Sequence, residues 1–363
     1  MKRLWCYLGV CIGRAHPDAK EHSELAAIAP HVRSPNSAQR INRWRLAALA
    51  VVMVAALFNV GSQYFLAIKD SQAGPLDFAL MGLVHVLPIV LVAYAVGAVW
   101  EGLFAYLRGR SREPGLWVTV FLLVALLPPA APLWHVAFAI SFAIVFGQEV
   151  FGGYGKTFLP PALVGAAVLQ VSFPSAMAGD PLWTLISGYG GTTAFSLYAQ
   201  GGMDGMTAAG IDAFGAAMGN VQGAIGTPGV IAALIGAGML LWGGVANWRP
   251  MAGVVVGVFL GAMLSGWELM WTWHLLLGGT VFCAVFIATD PAGSAATNPG
   301  RWMQGLLAGF VLVLIRVYNP GHPDGVVAAF LFAAIMAPLL DALVVRLQVR
   351  RAKARAKRRR AAL

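Results

Sequence analysis

Ten apolar segments with short connections between most of them constrain this chain more than any other feature. They run over residues 44–68, 78–107, 116–128, 132–148, 160–173, 229–246, 251–267, 270–289, 302–318 and 323–345. Of the 363 residues, 59% are hydrophobic and only 11% are charged, which lies far outside the range of soluble domains. The pattern predicts an all-α polytopic membrane protein with about ten transmembrane helices.

Prolines interrupt the middle of the first half of the chain. Several apolar segments there are shorter than the roughly 20 residues that a straight span needs. The interrupting residues are Pro128, Pro129, Pro132, Pro160 and Pro161. Short spans with prolines between them predict broken helices, which a membrane protein tolerates only where they are shielded by protein or line a polar cavity.

The distribution of basic residues predicts how the chain is oriented. With a cytoplasmic N-terminus, all but two of the 25 Lys and Arg residues fall on the cytoplasmic side, the exceptions being Lys69 and Arg316. Such an asymmetry is typical of a multi-pass protein with both termini inside. The net charge of +10 therefore indicates membrane flanks rather than nucleic-acid binding. We expect the basic tail to lie on anionic lipid headgroups or, alternatively, to dock a soluble partner.

A long connection without basic residues falls on the opposite, outer side. Residues 172–228 contain no Lys, Arg or His, and their only charged residues are Asp180, Asp204 and Asp212. Loops of this length inside a compact domain are usually functional. The sequence thus predicts five parts: a cytoplasmic extension 1–43, a five-helix repeat 44–173, a Gly-rich outer loop 174–228, a second five-helix repeat 229–345 and a basic tail 346–363.

The two halves of the chain echo each other. Trp134-His135 corresponds to Trp273-His274, the acids Glu149 and Asp290 follow at a similar offset, and Arg112-Glu113-Pro114 and Arg249-Pro250 open the two units. If each unit holds five spans, an odd number, the two copies must cross the membrane in opposite senses. We therefore expect two inverted five-helix repeats, as in many channels and transporters. The Trp-His pairs themselves are expected to be ordinary interface residues.

Several segments in combination resemble one known family. They include Val96-Gly97-Ala98-Val99-Trp100-Glu101, Gln148-Glu149-Val150-Phe151-Gly152-Gly153-Tyr154-Gly155-Lys156, Gly190-Gly191-Thr192-Thr193-Ala194-Phe195, Ala288-Thr289-Asp290-Pro291 and Ile315-Arg316-Val317-Tyr318-Asn319-Pro320. From about residue 30 to the basic tail, the chain is similar to the NqrB/RnfD family. This family comprises the NqrB component of the sodium-translocating NADH:quinone oxidoreductase and, more distantly, the RnfD component of Rnf complexes.

The resemblance implies a membrane redox subunit with covalent FMN. In the family, FMN is joined by a phosphoester to a threonine, which by position is Thr193 here, with Gly191 and Thr192 beside it and Thr192 as the lesser candidate. Gly190 and Thr192 depart from the family's Ser/Thr-Gly-Ala-Thr motif, and the segment 156–161 lacks the family's asparagines. The resemblance also implies riboflavin as a second flavin, quinone as substrate, partner subunits, a flavin-transferring maturation enzyme and the bacterial inner membrane.

The residues around Thr193 allow two interpretations. Covalent attachment needs an exposed hydroxyl, and the glycines before it permit close approach of a modifying enzyme. Alternatively, Gly190 and Gly191 form a turn, and Thr193 is the N-cap of a helix that runs through Tyr198.

An acid within the second apolar segment is the second candidate site. Glu101 is costly inside a membrane unless it has a partner or meets water, so a functional role is the default hypothesis. It lines a cation path or, alternatively, pairs with Arg108 or Arg110. Gly97 lies one turn earlier on the same face and would leave room for a quinone head group.

Three further acids lie at the cytoplasmic ends of spans. Glu149 and Asp290 could supply oxygen ligands to sodium, a hard cation. The alternative is helix-end hydration or ion pairing, with Lys156 for Glu149 and with Arg301 for Asp290. For Asp341, the structural alternative is pairing with Arg346 and the tail.

The function that these observations predict is that of a subunit of an ion-translocating NADH:quinone oxidoreductase. It would carry covalent FMN and pass electrons toward quinone, coupled to the movement of Na⁺ or H⁺. It would not oxidise NADH itself, since no dinucleotide-binding fingerprint follows a strand. The alternatives are an RnfD-type component of an Rnf complex, a non-redox channel or transporter on the same scaffold, and an assembly subunit whose flavin site has decayed.

Overall fold

The computed structural model describes residues 37–68, 72–110, 115–174, 185, 193–266, 269–319 and 325–361. Its elements are thirteen helices within these ranges. They are α1 Ala38–Ile68, α2 Pro75–Leu107, α3 Leu116–Leu126, α4 Leu133–Ile144, α5 Pro161–Ser172, α6 Ala194–Ala208, α7 Ala213–Met218, α8 Val230–Trp242, α9 Trp248–Leu264, α10 Trp271–Leu276, α11 Thr280–Phe282, α12 Asn298–Tyr318 and α13 Val326–Ala361. The all-α prediction is confirmed for the described residues.

Four of these helices are long and apolar enough to cross a membrane: α1, α2, α12 and the part of α13 up to Arg355. The shorter apolar helices α3, α4, α5, α8 and α9 match predicted segments that were too short for a straight span. The segment predicted over 270–289 is divided into α10 and α11. The helix of the first segment already begins at Ala38, and α13 continues without a break from the last segment into the basic tail.

Two helix breaks lie inside the bundle, and their backbone groups bind other parts of the protein. After α3, the carbonyl oxygens of Ala125 and Leu127 accept hydrogen bonds from the amides of Gly226 (3.0 Å) and Ile225 (2.9 Å). After α10, the chain turns through Gly278 and Gly279, both with positive φ, before α11 begins. Because lipid offers no hydrogen bonds, such breaks require partners within the protein. The predicted broken helices are thus present.

Glycines allow α9 and α12 to pack with their backbones in contact. A methyl group added at Gly257 would overlap the carbonyl oxygen of Leu306, and one at Gly309 would overlap that of Val254. Small residues at such contacts are typical of membrane helix pairs, where close van der Waals packing replaces the hydrophobic effect as the main driving force. The abundance of glycine in the sequence therefore has a packing explanation at this interface.

The echo between the halves relates segments that run in the same direction. Both α4 and α11 continue into a single π-helical turn, Val145–Glu149 and Cys283–Ile287. At one end of these segments, His135 contacts Phe173 at the end of α5, and His274 contacts Arg316 near the end of α12. At the other end, Glu149 and Asp290 reach the end of α2 and the start of α1. The echo therefore does not support the predicted inversion of the two halves.

Replacing Gly257 by alanine is expected to destabilise the protein by about 1–3 kcal/mol, because the added methyl group forces α9 and α12 apart. The measurement is the thermal unfolding midpoint of the purified protein in detergent. The matched control is Gly238→Ala on α8, where an added Cβ meets no atom within 4 Å. Equal midpoints for the two variants would contradict the packing explanation.

Candidate functional site

Thr193 is the N-cap of α6. Its Oγ1 accepts a hydrogen bond from the backbone amide of Ser196 (3.3 Å) and lies 3.0 Å from the Ser196 hydroxyl. The N-cap interpretation is confirmed, and α6 runs past Tyr198 to a kink at Gly202, where the backbone leaves helical geometry (φ 61°, ψ −151°), before it continues to Ala208. Thr193 is half-buried, and the first turn of α6 carries no acidic residue. Gly191 and Thr192 lie outside the described residues.

A buried arginine lies next to the start of α6, and the sequence analysis did not select it as a site residue. The guanidinium carbon of Arg316 is 4.2 Å from the centroid of the Phe195 ring. The same guanidinium donates hydrogen bonds to the carbonyl oxygens of His274 (2.5 Å) and Leu277 (3.1 Å) at the end of α10. Its position on the predicted outer side, against the positive-inside trend, was the signal that could have identified it.

Glu101 is buried on α2 and contacts the π-helical turn that continues α4. Its Oε1 accepts a hydrogen bond from Gln148 Nε2 at 3.2 Å, and Gln148 Oε1 is a buried acceptor without a hydrogen-bond partner among the described residues. Gly97 also faces α4, but an added Cβ would lie 2.8 Å from Leu116 Cδ1 and 3.3 Å from Ile140 Cγ1. Neighbouring side chains fill the space next to Gly97, so the glycine serves packing in this structure, and the quinone pocket there stays a prediction.

Glu149 is buried beneath two arginines from the end of α2. Its Oε2 accepts hydrogen bonds from Arg110 Nη2 (2.5 Å) and Arg108 Nη1 (3.2 Å), while Arg108 Nη2 also binds the Glu149 carbonyl oxygen (2.8 Å). Ion pairing was the predicted alternative to a cation site, although Lys156 was the expected partner. These arginines were also the expected partners of Glu101, and both of them bind Glu149.

Asp290 forms a buried bidentate ion pair with Arg45 of α1. The two oxygens accept hydrogen bonds from Arg45 Nη1 (3.3 Å) and Nη2 (3.0 Å). Next to this pair, the Tyr154 hydroxyl donates to Asn42 Oδ1 at 2.5 Å, and burial raises the pKa of Tyr154. The expected partner Arg301 instead donates from Nε to the Ala295 carbonyl oxygen.

Guanidinium groups therefore bind the carboxylates of both Glu149 and Asp290. A paired, desolvated carboxylate has its charge already compensated, which favours the structural alternative for these two acids, and the sodium path through them stays a prediction. Within the part of the chain that the structure describes, no group of three or more His, Cys, Asp or Glu could hold a metal ion. Asp341 also differs from expectation: it accepts hydrogen bonds from the amides of Ala296 and Thr297 and from the Thr297 hydroxyl.

Comparison with known proteins agrees with the resemblance seen in the sequence. Residues 25–350 match the model of the NQR2, RnfD, RnfE family. The chain is 44% identical over 288 residues to the B subunit of the Na(+)-translocating NADH-quinone reductase of Azotobacter vinelandii, covering 77% of this chain and 72% of that protein. It is 36% identical over 367 residues to the protein of the same name from Neisseria meningitidis, covering 90% and 89%.

Replacing Arg45 by methionine is expected to destabilise the protein by about 3–5 kcal/mol, because Asp290 would remain buried without its cation. The measurement is again the thermal unfolding midpoint in detergent, with the exposed Arg346→Met as the control. The double variant Arg45→Met/Asp290→Leu is expected to recover most of the loss, since no charge stays buried. A double variant no more stable than Arg45→Met would contradict this account.

Proposed function

Because the chain belongs to the NQR2, RnfD, RnfE family, we propose that it is the membrane redox subunit of a sodium-translocating NADH:quinone oxidoreductase. It carries FMN on Thr193 and passes electrons toward quinone, coupled to Na⁺ movement. The observation that carries this proposal is the similarity to proteins named as the B subunit of this complex, over 72% and 89% of their own lengths. This similarity favours the Na⁺-translocating type over the Rnf type.

The proposed membrane arrangement has ten spans, with both termini in the cytoplasm of a bacterium and residues 174–228 in the periplasm. The structure supports it because Arg45, Arg108 and Arg110 come together at one end of the bundle through their acidic partners. Arg316, predicted outside, lies instead at the Thr193 end, over Phe195. Single-sided clustering of basic residues is the arrangement that the positive-inside rule describes.

We retain the inverted relation of the two five-helix halves as a proposal on packing rather than on sequence. In the first half, α2 packs on α4, and α4 packs on α5; in the second, α9 packs on α12, and α12 packs on α13. These are the second, fourth and fifth spans of each half. If an inverted pseudo-two-fold axis relates the two halves, each span should pack against the same neighbours as its counterpart in the other half, as these spans do.

The surroundings of Thr193 fit a phosphoryl group. The hydroxyl oxygen stands at the N-terminus of α6, whose first part runs from Ala194 to the kink at Gly202, and backbone amides at such a terminus favour negative charge. The side chain is half-buried, so one face remains open to a maturation enzyme. The chain's own contribution is to hold the phosphoester oxygen at the helix terminus and to fix its direction through Ser196.

When bound, FMN supplies the one- and two-electron redox chemistry, and the protein supplies position and electrostatics. Thr193 anchors it covalently, with Gly191 and Thr192 as the neighbouring residues of the attachment loop. Riboflavin as a second flavin and quinone as the electron acceptor belong to the same proposal, as do the other subunits of the complex. Glu101 is the acid that we assign to the cation path, because it is an acid buried within a predicted membrane segment.

The mature protein is expected to be heavier than its sequence mass by one FMN esterified to Thr193. The measurement is intact mass spectrometry, together with in-gel flavin fluorescence after denaturation, of protein expressed with its maturation enzyme. Thr193→Ala is expected to abolish the adduct. If Thr193→Ala remained fluorescent while Thr192→Ala lost the flavin, the attachment site would be Thr192. Colourless wild-type protein that conducts solute in vesicles would support the channel alternative.

Replacing Glu101 by glutamine is expected to lower Na⁺-dependent quinone reduction by the assembled complex by roughly tenfold or more, because a charged oxygen is lost from the cation path. The amide oxygen can still accept the hydrogen bond from Gln148, so the thermal unfolding midpoint should stay unchanged. Asp204→Asn, at an exposed position of α6, is the control. Unchanged sodium dependence in Glu101→Gln would remove this residue from the mechanism.

A further inference from the structure

Arg316 stabilises the helix break between α10 and α11. Only 8% of the residue is exposed, and its guanidinium binds the carbonyl oxygens of His274 and Leu277, at the C-terminal end of α10. A cation at this position compensates the negative end of the helix dipole and satisfies carbonyl groups that the break leaves without intrahelical partners. The Thr280 hydroxyl donates to the same His274 oxygen at 2.6 Å, so this carbonyl group accepts hydrogen bonds from both Arg316 and Thr280.

The face of the same guanidinium is covered by the first turn of α6. Phe195 is 6% exposed, and its ring centroid lies 4.2 Å from the guanidinium carbon of Arg316. The imidazole of His274 also stacks on Phe195, with the two ring centroids 6.3 Å apart. Phe195 belongs to an apolar cluster with Ala194, Met206, Ala216, Val221, Leu269 and Leu277. The start of α6 is thereby docked on α10 and α12.

We propose that Phe195 is a positioning residue for the flavin, and that its cation–π contact with Arg316 fixes Thr193 in place. Phe195 follows the N-cap Thr193 by two residues within one helical turn, so the direction of the Thr193 hydroxyl is tied to the docked ring. Its role toward FMN rests on the proposed function, whereas the docking itself does not. The Arg316 guanidinium donates hydrogen bonds to two carbonyl groups and lies over the Phe195 ring. Cation–π contacts of this kind are strongest where water is excluded.

Positioning matters for a tethered redox group because the attachment threonine sets the volume that the flavin can explore. A docked first turn holds the phosphoester at one place, whereas an undocked helix would let the tether sweep a larger volume and lower the effective concentration of the flavin at its electron-transfer partners. Loss of the contact, with apolar volume kept, should therefore loosen the site without unfolding the protein.

The experiment uses the full chain in nanodiscs and first leaves the flavin out. Thr193→Cys, in a background of Cys6→Ser, Cys11→Ser and Cys283→Ala, is labelled with a fluorescent maleimide. Phe195→Leu in this background is expected to shift the docked-to-undocked equilibrium by about tenfold, seen as lower label anisotropy and stronger quenching by iodide. Phe195→Tyr, which keeps an aromatic face, should restore the parent values. Phe214→Leu, at a residue that is 70% exposed on α7, is the matched control.

The same Phe195 variants are then compared in protein that retains Thr193, with FMN fluorescence anisotropy as the readout. The same ranking, with Phe195→Leu more mobile than wild type and Phe195→Tyr equal to it, supports the role toward the flavin. Wild-type anisotropy and quenching in Phe195→Leu, or failure of Phe195→Tyr to restore them, would overturn the proposal. If wild-type protein carries no FMN at Thr193, the proposed function fails, while the labelled variants still decide whether Phe195 docks α6.

Discussion

The need to satisfy backbone polar groups inside a nonpolar bundle is the constraint on which this structure depends. Helices α3 and α10 both stop within the bundle, and each stop leaves carbonyl groups without intrahelical partners. The amides of Ile225 and Gly226 close the first break, and Arg316 with Thr280 closes the second. Because the second closure uses an arginine whose face then accepts Phe195, the same requirement also determines where α6 and its N-cap Thr193 lie.

Buried charges at the opposite end of the bundle follow a second rule, that each must have a partner. Arg45 meets Asp290 across 245 residues of sequence, and Arg108 and Arg110 meet Glu149. Acids that by position resembled cation ligands thus join helices together. Glu101 is also buried, on α2, where it accepts a hydrogen bond from the amide of Gln148, and a buried acid within a membrane segment is a functional hypothesis by default.

The apolar segments, the broken helices and the Thr193 N-cap could be predicted because each depends on residues close together in sequence. The ion-pair partners could not, since Lys156 and Arg301 were the nearest basic residues along the chain, whereas distant arginines were the nearest in space. The role of Gly97 also depended on tertiary packing, here on Leu116 and Ile140. The echo relates the fourth predicted segment to the eighth, and two even-numbered spans cross a membrane in the same sense, so the order of the segments already spoke against inversion.

The segment from α10 to the π-helical turn after α11 connects the two ends of the molecule. At its start, Arg316 binds the carbonyl groups of His274 and Leu277, and at its end Asp290 is bound by Arg45. Between these two fixed points lies the Gly278-Gly279 break, whose positive φ angles suit glycine far better than other residues. A change at the proposed flavin site therefore has a short covalent route to the opposite end of the bundle. Hydrogen bonds hold both ends of this segment, and the Gly278-Gly279 break lies between them. Hinge motions use such an arrangement.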